Sequence, residues 1–91
     1  MKKSVRAYIT GTVQGVFFRE FIREKAEACG VKGYVRNLDD GRVEVWIEGN
    51  NKEVKEMLEA CKEGPQHASI RRMDLLEEKY QGFKEFKVIT I

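Results

Sequence analysis

Residues 11–19 read Gly-Thr-Val-Gln-Gly-Val-Phe-Phe-Arg, and their types and order suit them to hold an anion. A β-rich segment, Val5 to Thr10, runs into a loop punctuated by Gly11 and Gly15, and the loop ends in Arg19 at the first turn of an amphipathic helix. The first N–H groups of a helix have no partner within it, and the helix dipole places partial positive charge there. Strand, glycine loop and helix start together make a cradle for negative charge. Arg19 adds a permanently charged fork that can grip a phosphate through two hydrogen bonds. The plainer alternative has Gly11 and Gly15 shaping a tight turn and Arg19 in solvent, so the remainder of the chain must decide.

Those residues have to be positioned by one small domain, residues 1–91, large enough for a single modest core. Hydrophobic residues make up 42% and charged residues 35%, which fits an ordinary soluble fold and not a disordered chain. Seventeen basic and 15 acidic side chains leave a net charge of +2, too balanced for a general nucleic-acid surface and compatible with one local anion site. No apolar run approaches the roughly 20 residues that cross a bilayer, so no membrane association is expected. Met-Lys-Lys-Ser leads straight into strand residues without an apolar signal segment, which predicts a cytoplasmic protein. Cys29 and Cys61 each fall on the apolar stripe of a predicted helix, with no CxxC partner and no adjacent histidine. They read as small buried hydrophobes before they read as a disulfide or a reactive thiol.

Periodicity predicts a first strand over 4–12, with Val5, Ala7 and Ile9 on one face, and a helix over about 19–29 whose stripe is Phe18, Ile22, Ala26 and Cys29. Gly30 stops that helix. Gly33–Leu38 and Arg42–Glu48 read as a hairpin around Asp39-Asp40-Gly41. In its second strand Val43, Val45 and Ile47 alternate with Glu44, Trp46 and Glu48. Asn50 and Glu53 form a capping-box pair at the start of a helix over about 51–62, with Val54, Met57, Leu58 and Cys61 as its stripe and Gly64-Pro65 as its stop. A strand over 68–79 changes apolar phase between Ile70 and Met73, which predicts a bulge, and Phe86–Thr90 forms a short last strand. This order, β-α-β-β-α-β plus an extra C-terminal strand, predicts an α+β ferredoxin-like sandwich: right-handed crossovers put both helices on one face of an antiparallel sheet. The topology hosts many activities, so function rests on the site.

Gly11 to Gly15 lacks the Gly-Lys-Ser/Thr that completes a Walker loop, and the three-glycine dinucleotide fingerprint is absent. No histidine or carboxylate set has metal-ligand spacing, so neither metal nor cofactor is expected. His67, the only histidine, follows Pro65 at a strand start and reads as structural or solvent-facing.

Gly11-x-Val13-Gln14-Gly15-Val16-x-Phe18-Arg19, then Gly33-Tyr34-Val35-Arg36-Asn37, then Asp40-Gly41-x-Val43-Glu44, resembles the acylphosphatase family. The likeness extends through Glu48-Gly49, Gly64-Pro65 and Gly82-Phe83…Phe86, over nearly the whole chain. The resemblance implies hydrolysis of acyl phosphates, with Arg19 binding the phosphoryl group and Asn37 positioning the attacking water. An acyl phosphate already carries a good leaving group, so alignment and charge stabilisation suffice. The N–H groups of Gly15, Val16, Phe17, Phe18 and Arg19 are expected around the phosphoryl oxygens, with the Arg19 guanidinium completing the cage. An amide is not basic, so Asn37 is expected to hold water through its carbonyl oxygen; its other role is to begin the Asn-Leu-Asp-Asp-Gly turn. Neither motif holds a base, so the proton is expected to leave through the substrate phosphate or solvent.

Gln14 is expected to brace the loop, with Thr10 or Thr12 as further candidates. Phe17 either borders the acyl group or packs the loop. Leu38 stands where some relatives carry threonine. Arg36 is expected on the opposite face as a surface charge, and Trp46 with Tyr8 as sheet packing. The expected ligands are an acyl phosphate and inorganic phosphate or sulfate, and a monomer is expected for so small a domain. The competing reading is a non-catalytic module for RNA or a phosphate ligand. Lys32-Gly33-Tyr34-Val35 loosely echoes an RNA-recognition motif, but Asn37 and Leu38 stand where its aromatics belong. Related domains also sit within larger proteins that process carbamoyl phosphate; a free-standing enzyme is the expectation here.

Overall fold

Alternating valines and isoleucines build a five-stranded sheet in the order β4-β1-β3-β2-β5, seen in a computed structural model that describes residues 2–15 and 17–90. The elements are β1 (Lys2–Thr12), α1 (Phe18–Cys29), β2 (Lys32–Asn37), β3 (Val43–Asn50), α2 (Asn51–Glu63), β4 (Ser69–Glu77) and β5 (Phe86–Ile89). The pairings β1–β3, β1–β4 and β2–β3 are antiparallel, as the ferredoxin-like reading requires. Register places Val5, Ala7 and Ile9 opposite Ile47, Val45 and Val43, and Val35 opposite Val45. These side chains form one buried layer with Phe18, Ile22 and Ala26 of α1 and Val54, Met57 and Cys61 of α2.

Local signals set the element ends. Gly30 takes the left-handed conformation and its N–H reaches the Ala26 carbonyl. The Asn50 side chain accepts from the Glu53 N–H at 2.8 Å while the Glu53 carboxylate accepts from the Asn50 N–H at 3.0 Å. The phase change in β4 is a bulge: Thr10 faces Arg72 and Gly11 faces Ile70, leaving Arg71 extra. A Cβ on Gly11 would lie 1.9 Å from the Ser69 carbonyl oxygen, so glycine is required where the loop leaves the sheet.

One expectation needs correcting. The sheet is not wholly antiparallel, because β5 pairs parallel to β2. Residues 78–85 carry the chain from β4, at one edge, to β2 at the other, crossing the face without helices. Arg36 lies on the face opposite Asn37 with its side chain 39% exposed, as expected of a surface charge, and its Nε also donates to Glu44 Oε1 at 2.6 Å. Trp46 and Tyr8 pack on the sheet as expected; Arg6 lies between them, its guanidinium carbon 5.0 Å and 5.7 Å from their ring centres, and Trp46 also packs against Tyr34 and Phe83.

The open face therefore buries two carboxylates. Glu44, 2% exposed, accepts from Arg36 and from the Tyr34 hydroxyl at 2.9 Å, with Arg6 at 3.6 Å. Glu48, 1% exposed, accepts from Ser4, Trp46 and the N–H groups of Gln81, Gly82 and Phe83. Burial raises both carboxyl pKa values, and these bonds more than offset it, so both end below the usual carboxylate value. Tyr34, desolvated and bonded to that carboxylate, is pushed up to about 12. Among the described residues no helix is long and apolar enough to cross a membrane.

Candidate active site

The turn from β1 into α1 opens a hollow of about 400 Å³, bordered by Val13, Gly15, Phe17, Phe18, Arg19 and Asn37 among others. Gly15 has φ 77°, and a Cβ there would meet only open space, so the free loop needs glycine for its backbone conformation and not for lack of room. Phe17 precedes the helix in the left-handed region at φ 58°, without a side-chain cap, and its side chain is 85% exposed. Phe18 starts α1 and is buried, anchoring the loop to the core. The first bond of the helix is Phe21 N–H to the Phe17 carbonyl, which leaves the N–H groups of the preceding turn without helical partners. Val16, expected to contribute its amide, lies outside the described residues.

Arg19 belongs to the first turn of α1 and lines the hollow. Its Nη1 donates to the Ile89 carbonyl at 3.1 Å, its one hydrogen bond among the described residues. The last strand therefore orients the arginine. Asn37, the last residue of β2, also lines the hollow, with its Oδ1 buried and unpartnered among the described residues. Gln14 Nε2 donates to the carbonyls of Leu38 and Arg42, each at 3.0 Å, tying the loop to the hairpin that carries Asn37. No hydrogen bond from the Thr10 or Thr12 side chain occurs among the described residues. A second hollow, sharing Arg19, Asn37 and Thr90 with the first, is lined by Gln14, Leu38, Asp39 and Ile89.

Arg19, Asn37, Gln14, Gly15, Phe17 and Phe18, single positions along 24 residues of sequence, thus border or brace one concave site. Val13, Glu20, Val88, Thr90 and the Ile89 carbonyl also border or bind it. Sequence reading missed Val88, Ile89 and Thr90, because β5 carries no motif and its place beside β2 is a tertiary outcome; Val13 stood in the loop motif with no role assigned. Glu20 had a faint signal as the acidic residue of the first helical turn. Its carboxylate accepts from Arg23 Nε at 3.1 Å and Nη2 at 3.2 Å, and those bonds lower its pKa. Among the described residues no group of three His, Cys, Asp or Glu side chains is placed to hold a metal.

A ferredoxin-like sandwich with a hollow at the β1–α1 turn that holds Arg19 and Asn37 defines the class. The acylphosphatase family model matches residues 5–88. An acylphosphatase of Rubrobacter xylanophilus is 51% identical over 80 residues, spanning 88% of this chain and 73% of that protein. One from Syntrophus aciditrophicus is 44% identical over 90 residues, with 98% and 94% covered. The crystal structure of the Bacillus subtilis acylphosphatase superposes with a TM-score of 0.94 at 32% identity, over 99% of this chain and all of that one. The chain belongs to the acylphosphatase family.

Proposed function

We propose that the protein hydrolyses acyl phosphates to a carboxylate and inorganic phosphate, without a metal or other cofactor. The phosphoryl oxygens sit among the N–H groups of Gly15, Val16, Phe17, Phe18 and Arg19, with the Arg19 guanidinium bonded to one of them. A water accepted by Asn37 Oδ1 attacks phosphorus in line; its oxygen–phosphorus bond forms as the phosphorus–acyl oxygen bond breaks. The carboxylate leaves with the electron pair, and the water proton passes to the phosphate or to solvent. Gln14 keeps the loop and the hairpin at a constant separation, so cradle and water stay aligned.

The observation that carries this reading is Asn37 Oδ1, buried and without a partner among the described residues. Burying a carbonyl oxygen without a partner costs about 1–3 kcal/mol. Such a cost is removed when a water or ligand fills the hollow. Two carboxylates border the site, Glu20 and Asp39. Arg23 holds Glu20 below the usual carboxylate range, which makes it a poor base. A pH–rate profile without a limb assignable to a side chain, unchanged in Asp39→Asn, is the expected result.

The RNA-binding reading has the open sheet face as its surface. There Tyr34, Trp46 and Phe83 pack against one another and Glu44 sits between Arg6 and Arg36, so rings and guanidinium groups are already engaged. That favours the hydrolase. A cytoplasmic monomer completes the proposal. The test is hydrolysis of benzoyl phosphate with and without EDTA: turnover that survives chelation is expected, and a strict metal requirement or no turnover would reject the mechanism.

A further inference from the structure

The helix layer is narrower than the sheet. Two helices about 10 Å across cover roughly four strands spaced about 4.8 Å, and this sheet has five. The uncovered strand is β4. At the β5 edge Phe86 is buried, whereas at the β4 edge Leu75 is 48% exposed. Met73 and Leu75 pair with Ile9 and Ala7, so they belong to the face under the helices. Between them and α2 runs a slot of about 470 Å³ with Val54, Leu58, Met73 and Leu75 as its apolar floor. It lies at the opposite sheet edge from β5, apart from the hollow that holds Arg19 and Asn37.

The rim of the slot is basic. Lys3, Lys55 and Lys62 line it, all exposed, and none forms an ion pair among the described residues. Lys55, Leu58, Glu59 and Lys62 are spaced i, i+3, i+4 and i+7, which is one face of α2. Lys62 suits the last turn of a helix. Lys55 sits mid-helix and Lys3 on a strand, where no helix dipole calls for a cation. Glu59 is the one carboxylate among the lining residues, and it also borders a separate hollow toward α1 that Lys25 shares. Glu77 shares the face of Met73 and Leu75 without lining the slot. With both acids counted the balance stays positive. At ~30 Å³ for each water-sized atom the slot takes about 15 heavy atoms, room for one twelve-carbon carboxylate. An amphipathic helix needs a longer row of anchor pockets.

We infer that the slot between α2 and β4 binds a free single-chain anionic amphiphile, a fatty-acid carboxylate of about twelve carbons. Its chain lies on Val54, Leu58, Met73 and Leu75, and its head sits among Lys3, Lys55 and Lys62. This binding does not rest on the hydrolase reading above.

The test titrates the full chain with submicellar dodecanoate and follows backbone amide shifts by NMR. Shifts are expected along 51–62 and 73–75, and not at 12–19 or 37. Octanoate, four methylenes shorter, should bind at least about tenfold more weakly. Dodecyltrimethylammonium should do likewise, because the rim repels its head. Leu75→Asp should abolish binding, and Lys55→Glu should weaken it about fivefold at low ionic strength, with a smaller loss in salt. Lys55→Glu, on the exposed rim, keeps the test open if Leu75→Asp unfolds. Absence of shifts, shifts centred on 12–19 and 37, equal binding of the cationic amphiphile, or unaltered affinity in either folded variant would overturn the site. So would phosphatidylglycerol vesicles capturing the protein while free dodecanoate does not, which would make this face a membrane contact.

Discussion

On the open face of the sheet, the Glu48 carboxylate collects hydrogen bonds from Ser4, Trp46 and three successive backbone N–H groups. At the end of β2, facing the hollow of the β1–α1 turn, Asn37 Oδ1 is equally hidden from solvent and has no partner among the described residues. The backbone repeats the contrast. Around Glu48, residues 81–83 are stitched to the sheet, whereas Phe17 holds a strained conformation with its ring in solvent. A buried polar group with every partner in place stabilises the fold. One left orphaned beside strain leaves room for a ligand, and the two regions should therefore answer to mutation in opposite ways.

The sharpest separation is expected at Arg19. Arg19→Gln should reduce turnover by at least about 10²–10³-fold and weaken inorganic phosphate binding, with thermal stability little altered, since its side chain makes a single hydrogen bond among the described residues, to the Ile89 carbonyl. Equal loss of turnover and melting temperature would merge the two regions. Glu48→Ala is the structural counterpart. It strands Gln81, Gly82 and Phe83 N–H groups and should cost about 3 kcal/mol of stability in urea unfolding.

Acid extends the same contrast. Glu44 and Glu48 have folded pKa values below their ordinary 4.5, so protonation favours the unfolded chain. Their stabilisation is complete above that value and is lost as pH falls through the folded values. Unfolding midpoints followed by circular dichroism should drop steadily below about pH 4.5, and Glu48→Gln should flatten part of that slope.

Asn37→Ala should lower turnover about 10²-fold while phosphate inhibition stays nearly unchanged. Because it deletes an orphaned oxygen, stability should hold or rise slightly; a loss above 2 kcal/mol would place Asn37 with Glu48 as a structural residue. The smallest effect belongs to Phe17→Asn. Asparagine tolerates the left-handed region, so release of strain should add about 1 kcal/mol, or ~4–8 °C in melting temperature.

Much of this was readable before folding because the signals are local. Alternation at Val5, Ala7 and Ile9, the Asn50–Glu53 capping pair and the Gly30 stop each act within a few residues, and a 3.6- or 2-residue period needs no tertiary knowledge. The phase slip near Ile70 marked the bulge for the same reason. The loop from Gly11 to Arg19 could be singled out because strand, glycine and helix start are consecutive.

Residue order by itself determined the elements, the ferredoxin-like topology and the family, since those follow from short-range periods and a motif in one piece. Only the tertiary structure decided that β5 lies parallel to β2 and that Ile89 holds an arginine 70 positions away. It likewise decided that Glu44 and Glu48 are buried acids and not surface ones. Alternation tells which face a side chain takes, but what covers that face comes from distant chain, and here the covering segment is 78–85.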